Sequence, residues 1–365
     1  MTKGYLILET GEEFVGDWIG TEQEVSGEVV FNTSMTGYQE MMTDPSYAGQ
    51  LLTFCYPMIG NYGMNAYDDE SQGLAVSAVI VSDMCEEPSH YQAMTSFSER
   101  LKAASIPGLM NVDTRALVGV IRKNKTVNGK IISEKQKNAH EMNWEAPDWL
   151  AVIEQVSVKK PISYGSGQHH IVLVDYGYKK SILDQLLALG CKVTIVPFDT
   201  PFEKIKEIEP DGVLLSNGPG DPLALARYFP DIKRITKNFP TLGICLGHQL
   251  LALAYGGKTK KMQYGHRGGN HPVKDMQTGK VWMTSQNHGY VVEKDSLSKQ
   301  NFDIWFQNVN DHSLEGIKHR QLPVQSVQFH PEAHPGPSDT AYIFLEFIQQ
   351  AAANRQKGAI IYAEA

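Results

Sequence analysis

The chain has 365 residues, enough for two or three domains that each bury a full core. Its 42% hydrophobic and 20% charged content is that of a soluble globular protein, and no apolar run approaches the ~20 residues that span a membrane. The net charge of −8 is concentrated at the front: residues 1–150 carry 10 basic and 21 acidic side chains, which argues against nucleic-acid binding because that needs a basic face.

The apolar stretch after Met1 is too short for a signal peptide, so a cytoplasmic location is expected. Cys55, Cys85, Cys191 and Cys245 lack Cys-x-x-Cys spacing and are expected as thiols. The twelve histidines show no His-Glu-x-x-His or similar ligand spacing, and no metal site is expected.

Along the chain, residues 5–8, 29–32, 51–56 and 76–82 read as short strands separated by turns such as Asp44-Pro45-Ser46. Helical patterns follow at 91–104 and 115–123. Residues 157–168, polar with Pro161, Gly165 and Gly167, read as a linker. Strand and helix then alternate. Residues 171–175 form a buried strand. A helix over 179–189 places Ile182, Leu183, Leu186 and Leu187 on one face, and a second strand covers 192–197. This βαβ pattern predicts an α/β domain with a mostly parallel sheet over 171–353, to which 212–216 and 241–244 add strands. It is preceded by a smaller β-rich α/β domain over 1–150 and the linker 151–170. Late in the chain, Val327 and Phe329 alternate with Gln328 and His330 as in a half-buried strand. Residues 354–365 carry no usable pattern and are expected as a disordered tail.

The segment Gly243-Ile244-Cys245-Leu246-Gly247-His248 is the most informative. An apolar run enters the cysteine and a helical run, 246–255, leaves it. The glycines on either side permit a sharp turn. Such a cysteine is either a buried structural residue or a nucleophile on a strand-to-helix elbow, where the helix dipole favours a thiolate. A thiolate needs a proton partner, an orienting group and donors for an oxyanion. His330-Pro331-Glu332, at a strand end, can supply the first two, although a strand-end histidine is also commonly a surface residue. Ser216-Asn217-Gly218-Pro219-Gly220-Asp221-Pro222 follows another strand; it is either an ordinary turn or a source of backbone N–H donors at Gly218 and Gly220, to act with Leu246.

Together the Gly-Ile-Cys-Leu-Gly-His-Gln, Asn-Gly-Pro-Gly-Asp-Pro and His-Pro-Glu motifs resemble the triad-type glutamine amidotransferase family. The resemblance implies a flavodoxin-like domain with Cys245 as nucleophile, His330 as general acid/base and Glu332 as its orienting group. In the first region, the motifs at 32–40, 43–47, 56–63 and 112–115 resemble the small-subunit family of carbamoyl-phosphate synthetase. That similarity implies glutamine contacts from Ser46, Gly218, Gly220, Leu246, Gln249, Asn287, Gly289 and Tyr290. On its own, 285–290 reads as a loop, with His288 structural. Tyr290 stands where many relatives carry Phe, and His334 replaces a commoner Ser and is expected at the surface.

What the resemblance implies is hydrolysis of L-glutamine through a thioester on Cys245, with ammonia passed to a large synthetase subunit that makes carbamoyl phosphate from bicarbonate and two ATP. This chain has no Gly-x-x-x-x-Gly-Lys-[Ser/Thr] loop, so no cofactor is expected on it, and ATP with Mg2+ belongs to the partner. A heterodimer is expected, with residues 1–150 as the docking domain and no nucleic-acid or membrane partner. The alternatives are a glutaminase subunit of another synthase, a catalytically silent regulatory subunit, and a stand-alone thiol peptidase or γ-glutamyl hydrolase. Arginine and pyrimidine pathways are both open.

Overall fold

The computed structural model describes residues 2–134, 142–144 and 147–363, with side chains to Asn354. Contacts divide the chain into two units, Met1–Asp148 with Met262–Gly268, and Trp149–Lys261 with Gly269–Ala365.

The first unit is a closed barrel whose strands, in order around it, are Lys3–Leu8, Glu13–Gly20, Pro107–Met110, Ala78–Ile80, Gln50–Phe54, Val25–Asn32 and Val127–Ile132. Closure leaves no unpaired edge. Leu6, Leu8, Trp18, Leu51, Leu109 and Ile131 are buried in one of its clusters. The strand Glu13–Gly20 was not expected, because Gly16 interrupts its apolar pattern. A Cβ at Gly16 would lie 2.7 Å from the Met110 carbonyl oxygen, so close strand approach requires the glycine. The helix expected from residue 91 starts at Phe97 instead. Ser96 and Glu99 form a reciprocal capping box there, which fixes the start. Residues 262–268 pack within this unit: the Tyr264 ring lies 6.3 Å from Phe31, and Gln263 Nε2 donates to the Arg122 carbonyl at 3.2 Å.

In the second unit five parallel strands lie side by side: Cys191–Pro197, His169–Asp175, Gly212–Leu215, Thr241–Ile244 and Val324–Val327. Numbered in chain order this is 2-1-3-4-5, the flavodoxin-like winding. The sequence pattern explains the burial of both faces. Ile171 and Leu173 face one cluster with Phe344 and Phe347, while Val172 and Val174 face another with Ile232 and Leu250. In such sheets ligands bind beyond the carboxyl ends of the strands.

Several expectations change. Residues 157–168 are no free linker: Ile162–Tyr164 pairs antiparallel with Cys191–Pro197, and the Val158 N–H donates to the buried Asp175 carboxylate at 2.7 Å. The parallel core continues into an antiparallel extension, Leu314–His319, Phe302–Asn308, Thr259–Asp275 and Val281–Val292. Residues 285–290, expected as a loop, are part of its last strand. Val324–Val327 and the residues after it are buried on both faces, because the strand is interior to the sheet. The final helix, Tyr342–Ala363, runs through most of the segment expected to be disordered, helped by Ala351, Ala352 and Ala353; residues 364–365 of that segment lie outside the described residues.

The helix Leu246–Ala254 lies hard against the sheet. A Cβ on Gly247 would sit 2.2 Å from the Leu215 carbonyl oxygen, whereas one on Gly119, exposed in the helix Thr114–Asn124, would meet nothing within 4 Å. Gly247→Ala is expected to destabilise the protein by roughly 3 kcal/mol or more, and Gly119→Ala to stabilise it by about 0.5–1 kcal/mol. Urea midpoints of the two variants check this; a Gly247→Ala protein as stable as the parent would refute the close-packing account.

Candidate active site

Cys245 occupies the N-cap of the helix Leu246–Ala254 with φ 52° and ψ −103°. This left-handed geometry is costly for a residue with a side chain. Two bonds hold it: Cys245 N–H donates to Val327 O at 2.8 Å, and Gly247 N–H to Ser216 O at 3.0 Å. The Gly247 donor is therefore occupied. Leu246 opens the helix, so its N–H has no acceptor within the helix. Gly218 lies beside it: a Cβ there would be 2.9 Å from Leu246 Cδ2 and 2.3 Å from Tyr176 O. Gly220 has φ 88° and lies under the Trp149 ring.

The next strand end brings His330 to the same place. Its N–H donates to Ser285 O at 2.9 Å. Its Nδ1 is 2.6 Å from Glu332 Oε1, which leaves Nε2 for another partner. Nε2 makes no hydrogen bond of normal geometry, yet the Cys245 sulfur is near enough to raise the affinity of the ring for a proton. The two groups are thus adjacent without being aligned. Cys245, His330 and Glu332 are 3%, 2% and 0% exposed.

Burial is the largest single influence on His330 and disfavours its charged form, but the Glu332 carboxylate and the Cys245 sulfur together outweigh it, so its pKa is raised. Burial likewise disfavours the Glu332 carboxylate, and His330 and Lys179 together hold its pKa below the usual range. Lys179 was missed as anything but a helix start. It is 2% exposed, with Nζ 3.3 Å from Glu332 Oε1 and also donating to Ala333 O, while its N–H donates to Asn217 Oδ1 at 3.2 Å. Its one sequence signal is its position just past the strand His169–Asp175, at the carboxyl edge of the sheet.

Several residues implied by resemblance converge here. Cys245 Sγ is 3.7 Å from Asn287 O, and Gln249 Nε2 donates to Tyr290 O at 3.0 Å. The Tyr290 carbonyl also faces His288 Nδ1 at 2.8 Å, so it is already engaged twice. Gly289 lies between them on the strand Val281–Val292. Gln328, expected to face solvent on a half-buried strand, is instead fully buried between Gln249 and Cys245. Ser46 belongs to the first unit, in a buried 3-10 turn where its N–H donates to Asp44 Oδ1 at 2.9 Å. His334 is exposed, as expected.

The family described as Glutamine amidotransferase class-I matches residues 172–350, and the Carbamoyl-phosphate synthase small chain, CPSase domain, matches residues 6–131. The "Carbamoyl phosphate synthase arginine-specific small chain" of Bacillus subtilis (strain 168) is 49% identical over 355 residues, 97% of this chain and 99% of that one. The chain belongs to the carbamoyl phosphate synthase small chain family. Its relatives of the same printed description include that of Geobacillus stearothermophilus, 51% identical over 95% of this chain and 97% of that one. The "Carbamoyl phosphate synthase pyrimidine-specific small chain" of Halalkalibacterium halodurans is 44% identical over 97% of this chain and 99% of that one. Family membership thus spans both pathway names.

Two outcomes follow from the charges at this site. His330 holds its proton more tightly than the ordinary 6.5, so its imidazolium contributes stability that is complete below about pH 6.5 and lost as pH rises through the folded value. In Glu332→Gln only burial and Cys245 remain, and Lys179 loses its counter-charge. The His330 ring should then release its proton at lower pH in an NMR titration, and glutamine hydrolysis should fall at least about 10²-fold. An unmoved titration would show that Glu332 does not hold the ring charged.

His248 lies on the same helix, fully buried, with Nδ1 2.9 Å from Ser326 Oγ. Burial pushes its pKa down to about 3. Between pH 6.5 and 3 the unfolded chain binds a proton that the folded chain refuses, so stability falls as pH falls through that window. Relative to the parent, His248→Gln should gain about 2 kcal/mol between pH 7 and pH 5. Denaturant titrations at the two pH values measure it; parallel pH profiles would contradict the assignment.

Proposed function

We propose that this chain is the glutamine-hydrolysing subunit of a carbamoyl phosphate synthase, with Cys245 as nucleophile, His330 as general acid/base and Glu332 as the group that orients and charges His330. The observation that carries this is the buried set itself: a thiol at a helix start beside an imidazole whose other nitrogen rests on a carboxylate at 2.6 Å. Such an arrangement separates charge into thiolate and imidazolium.

The Cys245 thiolate attacks the carboxamide carbon of L-glutamine. The oxyanion is met by the N–H of Leu246 with a donor from the Gly218–Gly220 turn, each worth about 3 kcal/mol. His330 gives its proton to the departing ammonia, leaving a glutamyl thioester. It then removes a proton from water, the hydroxide adds to the thioester, and glutamate leaves with Cys245 restored. Gln249 uses both amide protons on Tyr290 O and Gln328, so it has only Oε1 to offer, which suits the α-ammonium of the substrate. Asn287, Gly289 and Tyr290 complete the glutamine contacts of this unit in this reading. Tyr290 contributes its N–H or ring, because its carbonyl is already engaged.

Ammonia released into neutral water becomes ammonium and is no longer a nucleophile, so it is delivered directly to a large subunit. The relatives' printed name, small chain, supports such a partner. Bicarbonate, ATP and Mg2+ are assigned to that subunit, docking to residues 1–150, and the assembly to the cytoplasm. A catalytically silent subunit is disfavoured because it has no use for a buried Lys179–Glu332–His330 chain ending at a thiol.

Cys245→Ser should lower glutamine hydrolysis roughly 10⁴-fold or more, while carbamoyl phosphate synthesis from ammonium by the complex with the large subunit persists. Glutamine-dependent turnover that survives in this variant would remove Cys245 from its role.

A further inference from the structure

One backbone carbonyl fixes the orientation of two buried amides beside Cys245. Tyr290 O can only accept, so the Gln249 atom 3.0 Å from it is Nε2. That same Nε2 lies 3.0 Å from the Gln328 side chain, whose facing atom must be the acceptor, Oε1. The amine end of Gln328 is then turned to Cys245, with Nε2 3.6 Å from Sγ. Gln328 is 0% exposed and Gln249 3%, so bulk water competes little for either group. Besides the neighbouring His330 ring, the sulfur also has a polar contact with Asn287 O at 3.7 Å, which only the protonated thiol can use.

We propose that Gln328 is a further catalytic residue: its amide N–H donates to the Cys245 sulfur and stabilises the thiolate, and Gln249 keeps that N–H aimed by holding the Gln328 carbonyl. This rests on Cys245 being the nucleophile. A donor to the charged form of an acid favours ionisation. Among the described residues, the charged groups shown to reach the sulfur from other elements are His330 and, behind it, Glu332 and Lys179, and none of them is altered by changing Gln328. Gln249 thereby has two duties, since its Oε1 remains for substrate while its amine orders the relay.

The test is the pH dependence of iodoacetamide alkylation of Cys245 in the full-length chain, with the label located by mass spectrometry and residual glutamine hydrolysis measured alongside. Gln328→Met removes the donor at nearly constant volume. The alkylation midpoint should move up by about one pH unit, so that below the midpoint the variant reacts about tenfold more slowly than the parent. Gln249→Leu frees the Gln328 amide to turn and should move the midpoint in the same direction, and it carries the test if Gln328→Met fails to fold. An unchanged midpoint in the folded variant, with alkylation still abolishing hydrolysis, overturns the role of Gln328 and leaves Cys245 in place. Alkylated Cys245 with hydrolysis intact would instead overturn the nucleophile assignment, and the proposal with it.

Discussion

A cysteine held in a left-handed backbone conformation organises the second unit. At φ 52° Cys245 sits at about 1–3 kcal/mol of local strain, and that conformation survives only because its surroundings over-determine it. The strand Val324–Val327 takes its N–H, the strand Gly212–Leu215 presses against Gly247, and Leu251 and the Gly247 backbone leave no room for a Cβ at Gly243. Three neighbouring strands are therefore locked to one helix start. The side chain is thrown off the sheet edge while the first free N–H of the helix stays beside it, so fold and chemistry share one constraint.

Around that point charge is assembled in a place that should repel it. Lys179, Glu332 and His330 are each almost wholly buried, and each alone would be driven toward its neutral form. Arranged in a row they keep one another ionised: the lysine and the imidazolium hold the carboxylate, and the carboxylate holds the imidazolium. In the low dielectric of the interior such fields act strongly on the sulfur. The uncharged amides of Gln249 and Gln328 complete the surroundings without adding further charge that would have to be neutralised.

Much of this was legible in the sequence where the signal was local. Glycines on both sides of Cys245 permit an elbow between an apolar run and a helical one, and the alternation of strand and helix from 171 onward gives the parallel core. The 259–319 region was not legible, because Thr259-Lys260-Lys261-Met262-Gln263-Tyr264 has no strand-like alternation, and the far end of its strand, Val273–Asp275, pairs with Phe306–Asn308, well downstream. Gln328 and Lys179 were hidden for a related reason. A glutamine in an alternating run looks solvent-facing until its strand proves to be interior, and a lysine after a strand looks like a helix end until a carboxylate from residue 332 arrives beside it. The helix expected from 91 failed because the Ser96–Glu99 box outranks the weak periodicity before it.

The first unit is discontinuous along the chain, because Met262–Gly268 cluster with the barrel although they lie far downstream of it. A gene fragment that stops near residue 148 encodes a barrel deprived of the Tyr264 ring against Phe31 and of the Gln263 tie to Arg122. The complementary fragment, beginning near 149, carries a stretch whose natural partners have been cut away. Dissection of this protein into halves thus damages both products, and a ribosome cannot finish the amino-terminal unit until the downstream segment has emerged.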